Sequence, residues 1–420
     1  MKYFLLSVLL AGIHMLPSRA QTLTAKRDYT FGNGVISEQV LRNYLSRAIS
    51  LTEFCTGEGF YTDNDYLYKE DDIRMLQHTG AKFIGRATYS WASEYRFQDP
   101  RFWQAITSNT RRMHAYDPEL IFQSCIFEII TEQVNQVSIP DWVFQAFNEP
   151  VVQRNFKYDA MCNPEGILVN HWDKGASVPD IAQPEAQKWF YFLARKYIDA
   201  GIEAIHFGQV ELMAMTDRNV HYRNWAAVLQ RTRDYARSHA RRKMVLCDAH
   251  VPGGGLSIEG KLLLDFHSFP LRPKELPDQA GQQAVLEKNY LDAIYGKSQG
   301  GITPSGWQCE HLPYLAEFDN FGVSATPGKA NIASHFIWGY DEITWYSLQP
   351  EAYRNEWLKY AWNWVRHTDP DGYVQMPGRR VTVTGKPGKG HNYRVNIKSA
   401  SCPLGYGQEN TIRQIWAQAQ

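Results

Sequence analysis

An excess of either charge is what this sequence lacks: 44 Lys and Arg are balanced by 44 Asp and Glu, a formal net charge of zero. With no basic block long enough to follow a phosphate backbone, nucleic acid is excluded as a partner. Past the N-terminus there is no apolar run long enough to cross a bilayer. Cysteine is sparse: the six, at positions 55, 125, 162, 247, 309 and 402, show no C-x-x-C spacing, so no structural zinc is indicated. There is no internal repeat and no low-complexity tract. A glycine-rich phosphate turn is missing too, because Cys55-Thr56-Gly57-Glu58-Gly59-Phe60 has neither the spacing nor the immediate helix of a dinucleotide-binding fold. The sequence calls for no cofactor.

What is present begins with Lys2, an apolar stretch from Tyr3 to Ile13, and Ser18-Arg19-Ala20 before Gln21. These match the charged, apolar and small-residue parts of a secretory signal. Residues 1–20 are therefore expected to be removed, leaving a secreted or periplasmic chain with no membrane attachment. Export permits disulfides. Cys125 and Cys247 lie in apolar runs and read as buried thiols, whereas Cys162, Cys309 and Cys402 lie in loop-like sequence open to bridging.

Eight apolar runs read as strands: 49–54, 82–86, 120–128, 204–211, 244–250, 262–267, 312–317 and 342–347. Helical spacing appears over 37–47, 69–80, 101–114, 184–200, 222–239, 284–295, 329–339 and 351–366. The alternation predicts a (β/α)8 barrel over residues 21–370. The connection 251–261 is too short for a full helix. Residues 129–183, rich in Trp, Pro and Asn, form an insertion after the third strand that should wall the barrel mouth. Residues 371–420 are expected to pack on the barrel as a C-terminal extension, with 380–383 and 393–397 as a short strand pair.

Glu211 and Glu317 end the fourth and seventh runs. Two carboxyls projecting into one barrel mouth are what acid/base cleavage of a glycosidic bond requires. Here the sequence resembles the clan A glycoside hydrolases, whose barrels carry an acid/base glutamate at the end of strand four and a nucleophile at the end of strand seven. The resemblance implies Glu211 as acid/base and Glu317 as nucleophile of a retaining enzyme acting on an oligo- or polysaccharide. Arg86, His267 and Trp345 stand where that clan carries an Arg on strand two, a His or Tyr on strand six and a Trp on strand eight.

One departure is that the clan places Asn directly before the acid/base, where this chain reads Gln209-Val210. Asn148-Glu149-Pro150 offers a rival glutamate. However, Ile139, Trp142, Val143, Ala146 and Phe147 recur at helical spacing with Pro140 in the first turn, so the rival reads as a helix end. The 13 Trp, 24 Tyr and 20 Phe suit a cleft that stacks sugar rings. Gln209, His250 and Tyr222 join Arg86, His267 and Trp345 as candidate substrate contacts, with His171, Trp172 and His221 as further cleft residues.

Two alternatives stay open. Asp248-Ala249-His250 and Asp265-Phe266-His267 put Asp-x-His at adjacent strand ends, where a divalent metal could activate water. Barrel hydrolases of that kind carry His-x-His on strand one, which Leu51-Thr52-Glu53-Phe54 lacks. The other alternative is a carbohydrate-binding barrel without catalysis. Within the glycosidase reading, a carboxyl separation of about 5–5.5 Å would go with retention and roughly 6.5–9.5 Å with inversion.

Overall fold

The computed structural model describes residues 27–56, 68–320, 337–382 and 391–418. The expected signal segment and most of the expected helix 329–339 lie outside the described residues.

Seven short parallel strands follow the alternation: β1 (Ala48–Leu51), β2 (Phe83–Tyr89), β3 (Ile121–Cys125), β4 (Ala204–Gln209), β5 (Leu246–His250), β6 (His267–Pro270) and β7 (Tyr314–Glu317). Each pairs with the next in parallel register. Most of their residues are buried, as expected for strands covered on both faces. An eighth strand, β8, runs in two segments, Gly372–Val374 and Met376–Thr382. Its first segment pairs parallel with β7 (Leu315↔Tyr373) and its second with β1 (Ile49↔Met376). Between them the Gln375 N–H donates to the Ala316 carbonyl at 2.8 Å. One strand therefore joins the last to the first, and the eight close into an α/β barrel.

This corrects the expected eighth strand. Residues 342–347 are helical, within Glu342–Leu348, where the Asp341 carboxylate caps the Thr344 N–H at 2.7 Å. A short apolar run buried all round has no periodicity that separates helix from strand. Strand eight comes instead from residues assigned to the extension, where Pro377, Gly378 and two arginines disguise it. A Cβ at 378 would sit 2.7 Å from the Ser50 carbonyl oxygen, so glycine is what lets β8 approach β1.

The outer layer contains α1 (Glu38–Leu45), α2 (Lys69–Thr79), α3 (Pro100–Tyr116), α4 (Asp141–Ala146), α5 (Pro184–Asp199), α6 (Arg223–His239), α7 (Glu342–Leu348) and α8 (Glu351–Thr368). Their ends carry the expected punctuation. Asp99 caps α3 with Pro100 in its first turn, and Gly80 closes α2 at φ 74°. No helix follows β5 or β6. The expected helix 284–295 is replaced by turns and a hairpin of Lys274–Glu275 with Ala284–Val285. The insertion after β3 holds α4 and a small ladder of Ile130–Thr131 with Ala176–Ser177.

The extension's strand pair is present, as β8 with antiparallel β9 (His391–Arg394). A last helix, α9 (Glu409–Gln418), is tied to α2 by the Glu409 carboxylate, which accepts from Arg74 at 2.7 and 2.8 Å. All six cysteines are free thiols, five of them buried, so none of the loop cysteines is bridged. Among the described residues no helix is long and apolar enough to cross a membrane.

Candidate active site

Glu317 is the last residue of β7 and is buried. Arg86 reaches it from β2 with Nε 3.0 and 2.9 Å from the two carboxylate oxygens and Nη2 also bonded to Oε1. From β8, Arg380 Nη1 donates to Oε2 at 3.1 Å, while its Nε and Nη2 are held by Asn320 Oδ1. Burial on its own would raise this carboxyl, but the Arg86 charge, seconded by Arg380, outweighs burial and holds it at about 2. The reach of Arg86 is built into the backbone. The register of β2 against β3 shifts between Ile84 and Thr88, and Arg86 sits at φ 55°, a conformation rare for a residue with a Cβ.

Glu211 belongs to the single helical turn Val210–Met213 that follows β4. It is half-buried, and both its oxygens accept from the Gly253 N–H, at 2.9 and 3.1 Å. A Cβ at 253 would come within 2.8 Å of the carboxylate, so glycine permits this approach from the loop after β5. Burial raises the Glu211 carboxyl, and the Gly253 N–H and the Arg218 charge offset this only in part. Two carboxyls at the ends of β4 and β7 are thus pushed in opposite directions, the pattern that separates an acid from a nucleophile or base.

Beneath the mouth, polar side chains cross the barrel interior. Asp248 accepts from Gln123 Nε2 at 2.7 Å and Ser268 Oγ at 2.5 Å, and its Oδ2 lies 2.7 Å from His206 Nδ1. These bonds tie β3, β4, β5 and β6 together across the barrel interior. Next to Glu211, the Glu128 carboxylate accepts from the Gln209 backbone N–H at 2.8 Å and from its side-chain Nε2 at 2.9 Å. Gly208 at φ 56° makes room, since a Cβ there would lie 2.2 Å from Glu128 Oε2. With its amide nitrogen committed to Glu128, Gln209 keeps its Oε1 as an acceptor.

The other sequence candidates divide. Tyr222, at φ 57° before α6, lies close enough to Glu211 that burial and then that carboxylate raise its phenol. His250 sits beside Gln209 in the β4–β5 register, its ring 5.0 Å from Phe269, and burial followed by the Arg272 charge lowers it to about 4. His267 is fully buried at the start of β6, bonded to Ser298 at 2.9 Å, and burial lowers it to about 3. Among the described residues no three His, Cys, Asp or Glu side chains converge as a metal site requires.

Trp345 is placed in α7 rather than on strand eight. It has no exposed surface, donates its indole N–H to the Gln282 carbonyl at 2.7 Å and packs edge-on to Trp357 at 5.3 Å. It is a packing residue. Glu149 follows the end of α4, where both its oxygens lie 2.7 Å from Lys188 Nζ of α5, in the outer layer.

Arg380, Asn320, Glu128 and His206 were not singled out from sequence as site residues, and Asp248 entered only beside His250 as a candidate metal ligand. For Arg380 a signal existed: an arginine inside a strand-like run is costly unless a buried partner awaits it. A second brace was also missed. Arg272, following β6, binds Asp292 and Asp319 at 2.7 Å and Glu342 at 3.2 Å, joining the ends of β6, β7 and α7. Burial pushes Glu342 up to about 8 in spite of Arg272.

No family model matches this chain, and no curated protein matches it. Solved structures do. An α-galactosidase from Thermus thermophilus is 14% identical over 49% of this chain and 38% of its own, with a TM-score of 0.30. A debranching enzyme from Nostoc punctiforme is 10% identical over 89% of this chain and 80% of its own, with a TM-score of 0.43. A GH113 β-1,4-mannanase is 10% identical over 89% of this chain and 98% of its own, with a TM-score of 0.41. The chain thus spans little more than a third of the α-galactosidase. The barrel assignment rests on the strand pairing itself.

Proposed function

We propose that this chain is a secreted glycoside hydrolase in which Glu317 is the nucleophile and Glu211 the general acid/base. The observation that carries the reading is the opposed environment of the two carboxyls: Glu317 held ionised at about 2 by Arg86 and Arg380, Glu211 raised by burial. In the first step Glu317 attacks the anomeric carbon while Glu211 gives its proton to the leaving oxygen. In the second, Glu211 takes a proton from water as that water displaces Glu317. In this reading Gln209 and Tyr222, next to Glu211, and His250, beside Gln209 in the strand register, contact sugar hydroxyls. A carbohydrate chain is the substrate, and the roles of both glutamates follow from charge.

Purified protein is tested against a panel of soluble polysaccharides, and the anomer released first is read by proton NMR. Release of the retained anomer by the parent, lost in Glu317→Gln, is the expected result. Release of the inverted anomer would make Glu317 a base instead, and full hydrolysis by Glu317→Gln would overturn the assignment.

A further inference from the structure

We propose that Trp91, Phe127 and Trp172 form a carbohydrate-stacking shelf that binds a sugar unit of the substrate beyond the one being cleaved; this rests on the glycosidase reading above. Trp91 lies in the loop after β2, Phe127 in the loop after β3, and Trp172 in the insertion. Their rings meet edge to face, Trp91 to Phe127 at 5.6 Å and Trp91 to Trp172 at 5.2 Å. Trp91 is 40% exposed although most of the chain's tryptophans are buried or half-buried. An indole left open beside a polar mouth offers a flat apolar face to the C–H face of a pyranose ring.

The shelf is joined to both carboxyls. On one side the Arg86 guanidinium that holds Glu317 lies 5.5 Å from the Phe127 ring centre. On the other, the Trp172 indole N–H donates at 2.8 Å to the carbonyl of Glu128, whose carboxylate holds Gln209 two residues before Glu211. Because that N–H is already committed, Trp172 can present its ring but not its donor.

The loop bearing Trp91 is also braced before any ligand arrives. The Glu94 carboxylate accepts from the Thr131 N–H at 2.7 Å and hydroxyl at 2.8 Å, and Gln133 Nε2 donates to the Ala92 carbonyl at 3.2 Å. Both partners come from the insertion, so insertion and β2 loop form one rigid wall. Little ordering remains to be done on binding, which favours a platform over a mobile lid.

The test is calorimetric titration of Glu211→Gln protein with hexasaccharides of the gluco, manno, xylo and galacto series. At least one is expected to bind, with affinity falling by about tenfold when Trp91→Ala is added, the size of effect expected of one aromatic contact. Trp91→Phe should recover most of it, and Tyr116→Ala, an exposed ring at the end of α3, should change nothing. Equal affinity with and without Trp91→Ala would overturn the shelf, as would failure of the Glu211→Gln protein to bind any of the four. Hydrolysis of the same sugars by the unmodified protein, scored separately, tells whether the glycosidase reading falls with it.

Discussion

The end of β4 and the end of β7 present the same side chain in two settings. At β7, Glu317 is buried between two arginines from other strands; at β4, Glu211 is half-buried against one backbone N–H from a glycine loop. Burial acts on both in the same direction, and the difference is how far the neighbours oppose it: Arg86 and Arg380 outweigh it at Glu317, whereas the Gly253 N–H and Arg218 offset it only in part at Glu211. A carboxyl is held ionised or raised according to what its barrel neighbours supply, and here those neighbours are β2 and β8 for Glu317 and the β5 loop for Glu211.

The comparison can be broken at either end. The largest effect is expected from Glu317→Gln, which removes the proposed nucleophile and should lower kcat by roughly 10³-fold or more whatever the leaving group. Glu211→Gln should cost about 10²- to 10⁴-fold on natural glycosides and much less on aryl glycosides, whose leaving group needs no proton. Its pH profile sharpens the contrast. The proposed mechanism requires Glu211 protonated, so kcat/KM should fall as pH rises through its raised pKa, and Glu211→Gln should abolish that limb.

Arg380→Met leaves Arg86 alone on Glu317. It should raise the Glu317 pKa and lower kcat/KM by about tenfold or more, with the acid limb moving upward. Stability moves with it. A carboxylate whose folded pKa is depressed stabilises the fold above its unfolded value of roughly 4.3, and that contribution is lost as pH falls toward about 2. Acid unfolding of Arg380→Met, followed by circular dichroism, should therefore show a weaker dependence on pH in that window. The smallest effect on activity belongs to Glu149→Gln, which should leave kcat unchanged; because it removes the charge facing the buried Lys188 ammonium, stability should fall by roughly 1–3 kcal/mol.

Six of the first seven strands were legible because parallel strands buried on both faces read as unbroken apolar runs, whereas the run 262–267 expected as the sixth is mostly bends and the strand itself is His267–Pro270. Glu317 was legible for the same reason, since it ends such a run. Strand eight was not, because its mouth-facing end carries Arg379 and Arg380, and Pro377 and Gly378 serve its close passage by β1. The ion pair with Glu317 and chain closure remove the apolar signature there, while α7, buried over residues 342–347, imitates it. The arginine that matters to Glu317 was hidden with its strand. Asn148-Glu149-Pro150, the more conspicuous motif, was correctly read as a helix end from its periodicity.

The difference between the two carboxyls is measured most directly by a carbon-13 NMR titration of the glutamate side-chain carboxyls, assigned through Glu211→Gln and Glu317→Gln. Glu211 should titrate with a midpoint above the ordinary glutamate value, and Glu317 should remain ionised down to pH about 3. Two carboxyls titrating together near the ordinary value would contradict the assignment of acid and nucleophile.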